Sequence, residues 1–527
     1  MSSPVSIQDG PFTTNTLVSI KFVLIHILII WGSILPILIE LYLFWKIVEE
    51  NFILFYFLLP FQFCICFLIL VISSTLLSKL LLLIIKFIHK PKEGVFKRDK
   101  KDRDYYFWSL RAVIKKWPIW ISNLIPSSLI KNLMLKILGI TTDYSNKIST
   151  GSIDAEFIEL GRNVSIGQGS SIKSSMILRG RLIIKKVIIG DNVIIGSNSF
   201  VAPGTHIGSN TLLGTMSVTK FNQILDPNSS YRGNLAEEIH KSPSDLMQIF
   251  NDIELKENSN TSINPENKFV KNLTYNITIF GIVYFFSNFI PVLSIIYFCN
   301  EYFFPLYLHS PNLFQIFVNI QSLLTFLITP LFLIFLILIH LFTVMLITKL
   351  YYKVIQYKNP PTEGTFHWDY KNQDFNNYFK RSFILRYAKW KIQRSPFPWL
   401  IKPAFNFIGN CYFGKRTVIE NSFIAKELLQ VGKNSYLGKA LIANHLWDKN
   451  LTIKGIIIGD NVEISDNCCV APGTEIENEV TLLPLSITSK CDKLTSNSVY
   501  NHSPLKKISE EELIQIINYE IGDNRGD

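Results

Sequence analysis

A chain of 527 residues with 48% hydrophobic and only 18% charged residues, and a net charge of +11, does not read as an ordinary soluble globule. Its bases come without a zinc pattern or a basic aromatic sheet motif, so nucleic acid does not explain the charge. Its seven cysteines form neither a disulfide framework nor a zinc spacing: Cys64 and Cys66 lie in an apolar run, and Cys468 and Cys469 are neighbours.

After an N-terminal tail (1–16), residues 17–88 are dominated by Phe, Leu and Ile and split at the polar hexamer 46–51. The two resulting runs each exceed the roughly 20 residues that cross a bilayer core. The first run is too long for a signal peptide, and no basic cluster precedes it. A basic, aromatic connector follows (89–150), including DYYFWSLRAVIKKWPIW at 104–120. Such a segment suits the headgroup region or caps the end of the next domain. Residues 151–240 turn polar and Gly-rich, and an Asn-rich linker fills 241–271. A second apolar pair (272–356), a second connector (357–405), a second Gly-rich domain (406–508) and an acidic tail (509–527) complete the chain. His89, Lys90, Lys92, Lys97 and Arg98 follow the first pair, and Lys349, Lys353 and Lys358 the second. By the positive-inside rule both soluble domains face the cytosol, against the lipid bilayer.

VIIGDNVIIGSNSFVAPGTHIG at 187–208 recurs as IIIGDNVEISDNCCVAPGTEIE at 456–477, and Glu93-Gly94 recurs as Glu363-Gly364. Each domain also beats in sixes. Leu160, Ile166, Ile172, Ile189, Ile195, Val201, Ile207 and Leu213 mark one copy; Phe413, Ile419, Val431, Leu437, Ile458, Ile464, Val470, Ile476 and Leu482 mark the other. Neither a helical period of 3.6 nor a strand period of 2 gives six. A triangular coil does, with each aliphatic pointing inward and Gly or Asn at the corners. The expected fold is therefore mixed membrane α plus all-β: a duplicated unit of two transmembrane helices followed by a left-handed parallel β-helix of hexapeptide repeats. The chain thus supplies a second copy of its own fold.

The order of spans, Glu-Gly, aromatic-basic segment and hexapeptide domain, from about residue 17 to 508, resembles the membrane-embedded C-terminal region of nonribosomal-peptide-synthetase-like proteins, the poly-lysine synthases among them. The resemblance implies tandem acyltransferase-like units fed by an aminoacyl thioester from an adenylation and carrier part. No such part is present here, so a coenzyme A or phosphopantetheine thioester would come in trans, as acyl-CoA or on a carrier protein, and no cofactor or metal would be resident. That family's units often carry a His followed by aromatic and acidic residues. ANHLWDKN at 443–450 matches; the aligned SSMILRGR at 174–181 has no His.

Acyl transfer needs a base for the attacking hydroxyl or amine, and imidazole titrates near neutrality. His445 sits where the beat breaks, before a predicted loop over 447–454. Glu427 lies 18 residues earlier, one coil below, which would stack its carboxylate under the imidazole. Asp448 is the local competitor for that role. His206 is weaker, because Glu475 takes its place in the second copy; His26 and His340 lie in apolar runs. A non-catalytic membrane scaffold or docking protein is the rival reading, since hexapeptide coils also serve as rigid modules. A channel of repeated spans finds little support among so few charged residues.

Overall fold

The computed structural model describes residues 21–99, 101–124, 127–148, 152–154, 156–239, 273–367, 373–420, 422–447 and 450–517. Four helices are long and apolar enough to cross a membrane. Lys21–Val48 and Phe52–Ile88 form the first pair. The second comprises Leu273–Phe298, continued by a π-helical turn at Cys299–Leu308, and Ile320–Lys358. Asn51 caps the second helix by accepting from the Leu54 N–H at 3.1 Å, which is why the polar hexamer breaks the first apolar block there. Across the pairs, Trp31 donates to the Leu327 carbonyl at 2.8 Å and Tyr42 to that of Ser310 at 2.9 Å. Leu24, Ile53, Phe57 and Phe63 face outward, so the helices present an apolar outer surface.

Each of the two β-domains is a stack of short parallel strands in three sheets. Strands pair with the coil 18 residues on: Lys147 with Ser165, Ile194 with Leu212, Leu212 with Ser230. The beat holds in both β-stacks. Ile166, Ile172, Ile189, Ile195 and Val201 are buried in one prism, and Leu437, Ile458, Ile464 and Val470 in the other. Left-handed backbone at Asn163, Asn192, Asn210 and Asn228 turns one edge, with φ between 55° and 58°. Their side-chain amides form a ladder, each donating to the next at 3.1, 3.0 and 2.9 Å.

Once per domain the 18-residue offset stretches, to 29 between Ser165 and Ile194 and to 27 between Tyr436 and Glu463. The extra residues are not the loop expected at 447–454 but a β-hairpin. Ser175–Leu178 pairs antiparallel with Arg181–Ile184 in the first domain, and His445–Trp447 with Asn450–Ile453 in the second. A third strand completes each small sheet from far back in the chain. Gly94–Lys97, just past the first membrane pair, pairs with Arg181–Ile184, and Gly364–His367 with Asn450–Ile453. The beat of six could not show this, because antiparallel pairing to a strand about 90 residues away leaves no local period. It also explains the Glu-Gly pairs. The Glu93 carboxylate accepts from the Lys186 N–H at 3.1 Å, and Glu363 lies against Gly455.

The connectors fold as helices: Arg103–Ser122 and Ser128–Leu138 in the first half, Gln373–Gln393 and Ile401–Ile408 in the second. The shorter helix of each half closes the first coil. Met134, Leu135 and Leu138 join Ile148 and Ile158 in one core, and Phe405 meets Phe413 at 6.3 Å in the other. The two β-stacks also meet each other. Phe200, Val218 and Phe221 pack with Leu483, Leu485 and Val499 under the C-terminal helix Glu510–Ile517.

Candidate functional site

His445 opens the second hairpin, and its ring lies 5.7 Å from that of Tyr378 on the second connector helix. Its Nδ1 lies 3.2 Å from the Asn444 side-chain oxygen. Burial, then the nearby charges of Lys426 and Lys389, push the imidazole pKa down to about 3. The ring is therefore neutral at physiological pH. Burial also lowers those lysines, Lys389 to about 7 and Lys426 to about 8. Lys389 donates to the Ile424 carbonyl at 2.8 Å and Lys426 to the Ser382 hydroxyl.

Glu427 is placed otherwise than the stacking argument expected. Parallel pairing of its coil with the next runs through Phe423–Leu441 and Ile424–Ile442, after which the chain leaves for the hairpin. The Glu427 carboxylate instead accepts from Arg381 on the connector helix at 3.0 and 3.3 Å. Both side chains are almost wholly buried. The first half repeats the device: Arg111 and Lys115 meet Glu156 at 2.7 and 2.9 Å. Ser174 and Ser175 there hold the places of Asn444 and His445, since Lys185 N–H bonds to the Ser174 carbonyl as Lys454 N–H does to that of Asn444. The Arg–Glu pair thus recurs where no His stands. Asp448 lies outside the described residues. His206 is exposed, while His26 meets the carbonyl of Pro396, in the second connector, and His340 that of Ser287 on the neighbouring apolar helix.

A second polar cluster, which the sequence reading missed, fills the seam between the two halves. Lys173 of the first β-stack lies 3.6 Å from Asp154 and 3.5 Å from Asp466 of the second. Burial alone would lower its pKa, but Asp466 and Asp154 hold it well above the usual value. Beside them, burial pushes Glu420 up to about 8 against the pull of Lys173 and Lys116. Lys116, 3% exposed and with no hydrogen-bond partner among the described residues, is pushed down to about 7. No local motif could reveal this cluster, because its members lie hundreds of residues apart and meet only when the stacks dock.

These two shifts have opposite consequences for stability. Glu420 binds its proton more tightly when folded, so its contribution falls between pH 4.5 and about 8. Lys116 binds its proton more weakly when folded, so its contribution rises between about 7 and 10.5. In detergent, Glu420→Gln is expected to remove the falling limb, gaining on the order of 2 kcal/mol above pH 8. Lys116→Met should remove the rising limb. Unchanged pH profiles of thermal unfolding in both variants would contradict this assignment.

Residues 186–220 match the protein-family model described as bacterial transferase hexapeptide (six repeats). No curated protein matches the chain. Among solved structures, it is similar to the N-acyltransferase AntD from Bacillus cereus, at 20% identity over 21% of this chain and 71% of that one, with a TM-score of 0.16. It is also similar to a hexapeptide-repeat acetyltransferase from Vibrio cholerae, at 19% identity over 23% and 84%, TM-score 0.20. A third is a maltose O-acetyltransferase from Clostridium difficile, at 22% identity over 21% and 75%, TM-score 0.18. The match lies within the first β-stack, whose coils at 186–220 read as hexapeptide repeats.

Proposed function

We propose that the chain is a membrane-bound acyltransferase-like protein, moving an acyl or aminoacyl group from a thioester donor supplied in trans to a hydroxyl or amine. The observation that carries this reading is the His445 site: a largely buried imidazole, close enough to Lys426 and Lys389 to feel their charge, where a hairpin leaves the β-stack. The lysines offer donors to an anionic coenzyme A or phosphopantetheine group and to the oxyanion of a tetrahedral intermediate. An anion bound there would offset the cations that now suppress the imidazole, raising its basicity when the donor arrives. His445 takes the proton of the attacking group. Asp448, between the hairpin strands in sequence, is the carboxylate proposed to steady the imidazolium. Glu427 acts at one remove, fixing the connector helix through Arg381. Loss of transfer in His445→Ala, measured by mass spectrometry of the acylated product, tests this assignment.

A scaffold is the second reading. What favours it is the first half, where hairpin, third strand and Arg–Glu pair persist without a His. We take the halves as products of duplication, supported by the twin pairs Arg111–Glu156 and Arg381–Glu427, and the coils as left-handed. Both stacks are proposed to face the cytosol, because the membrane pairs return the chain to one side and both exits are basic. Cysteines introduced at Asp99 and Glu363 should label alike with an impermeant reagent on sealed vesicles; opposite accessibility would overturn the topology.

A further inference from the structure

The second connector helix carries an aromatic strip that begins on a membrane helix and ends in two bases. Phe280, half-exposed on the helix Leu273–Phe298, packs edge-on to Tyr387 at 5.3 Å, and Tyr387 lies 6.2 Å from Trp390. Trp390 is 45% exposed. Lys391 and Arg394 each stand 5.5 Å from its ring. Around the strip lie the exposed apolar side chains Ile277, Tyr284 and Phe285 of the same membrane helix. The other side of the connector helix is held to the β-stack, where Gln393 donates to the Ser422 carbonyl at 3.2 Å. Trp390 therefore sits at the border between lipid-facing and protein-covered surface.

Neither base has an acidic partner among the described residues. Burial lowers the Lys391 pKa, so the ammonium loses water without gaining a counter-charge from the protein. A ring with two cations at its edge, at the level where a span meets the cytosolic domain, calls for an anion carried by the bilayer itself. The first half supplies the contrast. Its matching Trp120 is stacked on Trp117 at 5.1 Å and is followed by buried Ile121 and by Leu124, so the ring is retained but the bases are not.

We propose that Trp390, Lys391 and Arg394 form a headgroup site for an anionic phospholipid, built into the second half only. The phosphate or acidic headgroup sits between the two bases, and the acyl chains run along Phe280 and Tyr284. Such a lipid would fix the height of the connector helix beneath the β-stack.

The test uses the full chain, purified and incubated with equal amounts of phosphatidylglycerol and phosphatidylcholine, with bound lipid counted by native mass spectrometry. The wild type should retain phosphatidylglycerol preferentially, and each of Lys391→Gln and Arg394→Gln should weaken that preference about fivefold. Leu124→Ala, at the matching place in the first half, should leave it unchanged. Raising the salt should weaken retention, whereas inorganic phosphate at equal ionic strength should compete no better than chloride. Equal retention of both lipids by the wild type would overturn the site. So would undiminished preference in the double Gln variant, or competition by free phosphate alone.

Discussion

His445→Ala is expected to lower acyl transfer about 100- to 10,000-fold while leaving insertion and fold intact. The side chain is partly exposed at the foot of the hairpin and contributes nothing to the prism core, which Ile442 and Val470 fill at that level. The ladder that holds the hairpin is backbone pairing from His445 to Ile453, which alanine preserves. The pH dependence sharpens the test. In the ligand-free protein the ring stays neutral down to about pH 3, so kcat/KM, which reports free-enzyme ionisations, should show no acid limb near 6.5 from this residue. Titration of the lysines, at about 7 and 8, should instead weaken capture of an anionic donor as pH rises through that range. Full activity in a folded His445→Ala protein would take the base role away from this residue, whereas absence of transfer in the wild type would move the balance to a scaffold.

Arg381→Ala should cost about 3–5 kcal/mol, because it leaves the Glu427 carboxylate buried at 1% exposure without its cation. The guanidinium also donates to the Asn359 carbonyl at 3.1 Å, at the end of the last membrane helix, so the same change loosens the junction between span and β-stack. Replacing both partners, Arg381→Met with Glu427→Leu, should restore most of the loss, since an apolar pair carries no desolvated charge. Arg111→Ala should cost less, as Lys115 remains at 2.9 Å from Glu156. Thermal unfolding in detergent would decide. A double variant as unstable as Arg381→Ala alone would mean that the pair is needed for more than charge balance.

The spans and the prisms were legible in the sequence for one reason: each depends on a short, repeated choice. Apolar runs longer than a bilayer is thick have few other uses, and Ile458, Ile464 and Val470 can be buried together only if the chain turns every six residues. The site was half legible. A broken beat marked His445, but the break alone does not distinguish a loop from a hairpin. Counting 18 residues back to Glu427 assumed that the coil continues through His445, whereas regular pairing stops at Ile442. Arg381, Lys389 and Lys426 escaped notice because their meeting depends on how a connector helix lies along the stack. The Lys173–Asp466 contact depends on the docking of two halves. Nothing local encodes either.

The strand that follows each membrane pair has a mechanical meaning. Ile88 ends an apolar helix, and six residues later Gly94 is already hydrogen-bonded into the sheet that holds the hairpin; Lys358 and Gly364 repeat the spacing. A β-stack anchored in this way cannot swing on a tether as a linked domain would. With the apolar helices in a bilayer, as proposed, the hairpin would be held at one standoff from the lipid surface, within reach of groups that project a set distance from it and out of reach of those that do not. Lengthening the segment between Ile88 and Gly94 would change that reach without touching a single residue of the pocket.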